Sequence, residues 1–184
     1  MKREVRQRDT SIENQGGRVS YHVFISYPRI ADERGAVSDI RAHLDRELKI
    51  KTGDRNLVVF QDRSGLAGGD PWNEVLEEEL KIANAFVLLL CPLWLTSDWC
   101  RKELNLYLAY GKQRAVDRPI VPLRWERTEL AHAQTEEQEA MLALIKRHEE
   151  VPWDKLRHRN SSDKGYREAI SDFAEAVVAK LVGQ

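Results

Sequence analysis

Apolar positions along the chain switch repeatedly between two spacings. Tyr21-His-Val-Phe-Ile-Ser-Tyr27 is a short β-prone run, and Val37, Ile40, Leu44 and Leu48 then recur at helical spacing. Asn56-Leu-Val-Val-Phe-Gln-Asp62 reads as a second strand. A glycine-rich stretch from Arg63 to Asp70 follows, and Trp72, Leu76, Leu80 and Ala83 mark a helix with Pro71 suited to its first turn. Ala85-Phe-Val-Leu-Leu-Leu-Cys91 is apolar almost throughout, as a strand buried on both faces must be. Pro92 to Ser97 reads as a loop, and Asp98 as the N-cap of a helix running to about Gly111. Pro119-Ile-Val-Pro-Leu-Arg-Trp125 is a fourth strand bounded by prolines. Met141, Leu144, Ile145 and His148 suggest a further helix, and Glu150-Val-Pro-Trp153 a short last strand demoted by its proline. Tyr166, Ile170, Phe173, Val177, Val178 and Leu181 form the clearest amphipathic helix.

Strands alternating with helices imply parallel pairing through right-handed crossovers. The expected fold is an α/β doubly wound, flavodoxin-like parallel sheet of about five strands with helices on both faces. In such sheets ligands sit beyond the carboxyl ends of the strands. That rim collects Ser26-Tyr27-Pro28-Arg29, the loop 62–72 and the segment 92–103. Residues 1–18 are polar and without periodicity, and read as a flexible tail; 19–184 read as one domain.

The chain's 184 residues suffice for one domain with a sizeable core. With 42% hydrophobic and 32% charged residues, the balance is that of a globular protein in water. A net charge of −1 gives no global field to attract nucleic acid or an anionic membrane. The longest apolar run, Ala85 to Cys91, is too short to span a bilayer, and the charged N-terminus lacks the apolar segment of a secretory signal. Two cysteines, Cys91 and Cys100, make no disulfide framework and fit a reducing cytoplasm. The five histidines show no metal-ligand spacing.

Three segments carry candidate chemistry. Val23 to Arg29 places polar residues at a strand end, which by itself is an ordinary solvated strand terminus. Phe60 to Trp72 has glycines that let backbone amides approach a phosphate, but it matches neither phosphate-binding glycine motif, and an ordinary loop explains it equally well. In Ser97-Asp-Trp-Cys-Arg-Lys-Glu-Leu104, Trp99 and Glu103 stand four apart on one helix face, an aromatic wall beside a carboxylate. Alone, such a pair is surface packing.

In this order, the three segments resemble the TIR (Toll/interleukin-1 receptor-like) family. Phe24-Ile-Ser-Tyr27 resembles its first strand, Phe60 to Trp72 its second strand and following loop, and Leu88-Leu-Leu-Cys-Pro92 with Ser97-x-Trp-Cys-x-x-Glu-Leu104 its third strand and following helix. The likeness spans about residues 20 to 182, and the Trp-x-x-x-Glu form is that of the bacterial and plant NAD-cleaving branch. The resemblance implies that Glu103 is catalytic, cleaving the nicotinamide–ribose bond of NAD+ as substrate, with no cofactor and no metal. It implies substrate binding by Trp99, Tyr27, Arg29, Asp62, Leu66 and Trp72: Trp99 with Leu66 or Trp72 stacking on a flat ring, and Arg29 meeting the diphosphate. It further implies an immune or anti-phage effector activated by TIR–TIR self-association, under a sensor module either fused or separate. Pro28 departs from the polar or basic residue common there, Cys91 replaces a frequent serine, and 126–162 fits the pattern least.

Two other readings stand beside this one. A non-catalytic TIR adaptor would use the loop 62–72 as a contact surface and leave Glu103 a mere surface acid. A nucleoside deoxyribosyltransferase-like enzyme also breaks N-glycosidic bonds with a Glu on a similar fold.

Overall fold

The centre of the molecule is the strand Ala85–Leu90, all six of whose side chains are buried. The computed structural model describes residues 20–61, 72–115 and 118–183, and of Trp72 and Asn73 the backbone only. The expected tail 1–18, the glycine-rich stretch 63–70 and the site residues Asp62 and Leu66 lie outside the described residues. Five strands, β1 (His22–Ser26), β2 (Val58–Gln61), β3 (Ala85–Leu90), β4 (Ile120–Arg124) and β5 (Val151–Pro152), form one sheet in the order β2-β1-β3-β4-β5. Every neighbouring pair is parallel. The fold is thus the doubly wound α/β sheet that the alternation of periods implied.

Among the described residues six α-helices cover it: α1 (Ala36–Thr52), α2 (Trp72–Ile82), α3 (Pro92–Thr96), α4 (Asp98–Arg114), α5 (Glu136–Ile145) and α6 (Lys164–Val182). The crossover from β1 runs one way along the sheet and those from β2, β3 and β4 the other way. Right-handed connections therefore put α1 on one face, where α6 packs against it, and α2 and α4 together on the opposite face. Helix α1 buries Val37, Ile40, Leu44 and Leu48, the four residues whose spacing announced it, and stops at Gly53, whose φ of 68° is left-handed backbone that suits glycine. Helix α6 buries five of the six periodic residues read from the sequence, together with Ala174.

Three expectations need correction. Pro92–Thr96 is a short helix rather than a loop: Pro92 opens it, and the Cys91 sulfur accepts the Trp94 amide at 3.4 Å. The N-cap of α4 is Ser97, not Asp98; its Oγ accepts the Cys100 amide at 3.3 Å while Asp98 opens the first turn. Helix α4 continues beyond Gly111 to Arg114, since a buried glycine inside a helix need not end it. Among the described residues no helix is long and apolar enough to cross a membrane.

Candidate active site

Strand order reverses between β1 and β3, so the crevice beyond their carboxyl ends is the switch point of the sheet. Ser26, the last residue of β1, stands at that crevice opposite Leu88 of β3. Helix α3 carries Trp94 into the same place. The Trp94 ring is fully buried, and its indole Nε1 donates to Ser26 Oγ at 2.9 Å. Helix α4 supplies Glu103, whose Oε2 accepts a hydrogen bond of 2.5 Å from Ser26 Oγ. An indole is a donor only, so Ser26 must accept from Trp94 and direct its single proton to the carboxylate. The donor sequence Trp94 to Ser26 to Glu103 runs in one direction, the arrangement in which each bond polarises the next.

Glu103 is 3% exposed, which removes the reading of it as a surface acid. Trp99, one turn earlier, is half-buried, with the Lys102 ammonium 5.3 Å from its ring centroid. Trp99 and Glu103 line one recess with Leu76 of α2 and Leu106 of α4. The i, i+4 spacing thus delivers the aromatic wall beside the carboxylate. The recess measures about 10 Å³, room for roughly one water. The α3–α4 corner is held by Arg101, a buried side chain that donates to the Leu95 carbonyl at 2.9 Å and pairs with Asp98 at 2.5 Å.

The remaining sequence candidates fall elsewhere on the rim. The Tyr27 hydroxyl accepts from Gln61 Nε2 at 3.1 Å, in a cluster where Gln61 also donates to Asp32 at 2.9 Å. Asp32 in turn takes the Val37 and Ser38 amides at the start of α1. Arg29 is exposed and opens a short 3-10 turn, Arg29–Asp32. Neither Tyr27 nor Arg29 lines the recess. Trp72 is the first residue of α2. Sequence reasoning gave no role to Ser26 or Trp94. The available signal was a serine closing an otherwise buried strand, followed far along the chain by a tryptophan in an assumed loop.

Cys100 also touches this cluster. Burial, and after it the neighbouring Glu103 carboxylate, push its thiol up to about 12; burial likewise raises Cys91. Both cysteines are therefore protonated packing groups near neutral pH, not nucleophiles. No group of three or more metal-ligating side chains occurs among the described residues.

No curated protein matches the chain. Among solved structures it is similar to the TIR domains of the activated Roq1 resistosome that recognises the pathogen effector XopQ, at 20% identity over 85% of this chain and 84% of that one, with a TM-score of 0.44. It is also similar to the TIR domain of the Toll-related receptor TRR-2 from Hydra magnipapillata, at 16% identity over 70% of this chain and 94% of that one, with a TM-score of 0.42. The model of the TIR domain family matches residues 23–170. That match takes in all five strands, but for His22 at the start of β1, and the crevice holding Ser26, Trp94 and Glu103, and the chain belongs to the TIR domain family.

Proposed function

We propose that this domain cleaves the nicotinamide–ribose bond of NAD+ with Glu103 as the catalytic carboxylate. The observation that carries the reading is a buried glutamate, oriented by a serine, at the switch point of a doubly wound sheet and beside an aromatic wall. Nicotinamide departs as a neutral ring from a cationic glycoside, so no general acid is needed. Departure leaves positive charge on the ribose carbon and ring oxygen. A carboxylate fixed beside that centre stabilises the charge without reorganising, which is where electrostatic preorganisation contributes most. One carboxylate then suffices where glycoside hydrolases use a pair. Water attacking the ribose carbon and losing a proton gives ADP-ribose; attack by another nucleophile of the same molecule gives a cyclic isomer. Trp99 supplies the face for the nicotinamide ring, and Arg29, Tyr27, Asp62, Leu66 and Trp72 are the further substrate contacts.

A recess sized for one water does not admit a nicotinamide ring. We assign its widening, by movement of α2 off α4, to self-association of TIR domains. The same tightness favours a second reading, a TIR domain that only scaffolds other TIR domains.

Incubation with NAD+ followed by product chromatography tests these readings. Nicotinamide and ADP-ribose, or its cyclic isomer, should accumulate with the wild-type protein and not with Glu103→Gln. Turnover of the folded Glu103→Gln protein at the wild-type rate would remove Glu103 from the chemistry. Absence of cleavage at high protein concentration would leave the scaffold, and cleavage of deoxynucleosides alone would point to a transferase.

A further inference from the structure

A second cleft lies away from Glu103. It occupies about 630 Å³ at the carboxyl rim on the α1–α6 side, a volume suited to a nucleotide-sized molecule. Its floor is aromatic. Trp125 follows β4, Trp153 follows β5, and Tyr166 of α6 meets the Trp153 ring edge-on at 5.4 Å between centroids. Trp153 is fully buried and Tyr166 is 4% exposed. Yet Trp153 Nε1 and the Tyr166 hydroxyl are both buried without a hydrogen-bond partner among the described residues. Two orphaned donors on neighbouring rings of one cleft are a double cost, because each unpaired buried polar group destabilises the fold. Burial raises Tyr166 to about 12, so its hydroxyl keeps its proton at neutral pH and is available to donate.

Charge around the mouth is mixed and sorted by chemistry. Arg34, exposed, has no ion-pair partner among the described residues, and Arg159 pairs only with the partly exposed Asp163 at 3.2 Å. Arg157 is held more tightly, by Glu126 at 2.6 Å, and so shapes the wall. Asp39 at the start of α1 adds an acceptor to the same lining.

We infer that this cleft is a second ligand site, for a nucleoside phosphate, whose entry parts the aromatic floor enough for the buried Trp153 and Tyr166 donors to reach acceptor atoms of the base, with Asp39 accepting from sugar hydroxyls and Arg34 and Arg159 holding the phosphate. Neutral donors in an apolar floor select a flat ring carrying carbonyl or ring-nitrogen acceptors. The guanidinium groups select a phosphate. The site faces the opposite side of the sheet from Glu103 and stands whether or not Glu103 cleaves NAD+.

The test uses adenosine monophosphate as probe, followed by the indole N–H signals in a proton–nitrogen correlation spectrum, with Trp153 assigned through Trp153→Phe. The Trp153 signal should move on titration while the Trp99 signal stays in place. Tyr166→Phe should weaken binding roughly fivefold, as loss of one neutral hydrogen bond does, and Arg34→Ala roughly tenfold or more. Without ligand, Tyr166→Phe should melt no lower than wild type, since it deletes an unpaired hydroxyl; lower affinity with undiminished stability separates a binding role from a packing one. Adenosine alone and inorganic phosphate alone should each bind at least tenfold more weakly. A Trp153 signal unmoved by millimolar probe, movement of Trp99 instead, or phosphate binding as tightly as the nucleotide would overturn the assignment.

Discussion

Ser26 is the residue through which the fold controls its carboxylate. It accepts from Trp94 at 2.9 Å and donates to Glu103 at 2.5 Å, so one hydroxyl satisfies two buried groups. Ser26→Ala should take the Trp94 indole N–H's acceptor and one of the Glu103 carboxylate's hydrogen bonds away together. At about 1 to 3 kcal/mol for each such group, the expected loss of stability is about 2 kcal/mol or more, measurable by urea denaturation. If Glu103 acts on NAD+, the same variant should lower kcat more than it raises KM, because the carboxylate loses its orientation and the binding walls remain. Wild-type stability in Ser26→Ala would mean that the chain of three side chains contributes nothing. Glu103→Gln keeps the size of the side chain and an oxygen able to accept from Ser26, so it should remain folded; Glu103→Ala, which empties a buried site, should not be the variant of choice.

At the scale of elements, the joint between α2 and α4 depends on one arginine. Arg118, two residues before β4, is buried, and its guanidinium lies 4.0 Å from the Tyr107 ring centroid. It donates to the carbonyls of Tyr107 at 2.8 Å and Leu80 at 2.7 Å, and also to that of Ala83. Leu80 and Ala83 stand at the end of α2, where carbonyls have no partner within the helix, and Tyr107 lies within α4, so the guanidinium ties the two helices together. Arg118→Met fills similar space without a donor and should cost about 3 kcal/mol or more by denaturation. Arg118→Lys should recover little, since an ammonium cannot reproduce the planar fork. A loss below 1 kcal/mol for the methionine variant would show that these carbonyls find water instead. Nothing in the sequence announced this arginine, because its partners are backbone atoms of two helices brought together only by the finished sheet. By contrast, β3 was legible from its unbroken apolar run and α1 and α6 from their period, since burial on a regular element is a local property of the sequence. The Trp99–Glu103 pair was legible for the same reason. Ser26 and Trp94 were not, because their roles depend on a contact across 68 and 77 positions of chain to each other and to Glu103. Helix α3 was missed because five residues carry too little periodicity to read.

At the scale of the molecule, burial of neutral titratable groups makes stability fall at high pH. Cys100 and Tyr166 are each raised by burial to about 12. Both are uncharged when protonated, so the unfolded chain, with ordinary values, releases their protons first as pH rises. Their contribution is whole below the unfolded pKa values and is lost between roughly pH 9 and pH 12. Each group should remove about 1.4 kcal/mol per pH unit across its own part of that window. Denaturation midpoints measured from pH 8 to 11 should fall, and Cys100→Ala should flatten the fall even as it lowers stability at neutral pH. An identical slope in that variant would assign the alkaline loss to other groups.

Whole-molecule behaviour also decides when the proposed enzyme works. The recess between α2 and α4 is filled by its own walls, with room for roughly one water. If only a small fraction of molecules is open at any moment, the apparent kcat/KM falls by that fraction, however well Glu103 is placed. Opening also uncovers Leu76, Trp99 and Leu106, apolar surface whose exposure opposes it. A second copy of the domain docking over that surface would restore the burial and shift the population toward the open form. Activity per molecule should therefore rise with protein concentration and then level off, instead of staying constant. NAD+ consumption per mole of protein, measured across three decades of dilution with light scattering on the same samples, reads this directly. Mixing gives a sharper form of the same test. Folded Glu103→Gln protein cannot itself turn over, but it can still act as a neighbour. Added in excess to dilute wild type, it should raise the activity of the wild-type molecules toward their plateau. Specific activity that stays flat in a strictly monomeric sample, with no response to the inactive variant, would mean that the isolated domain opens unaided and that assembly has no part in its control.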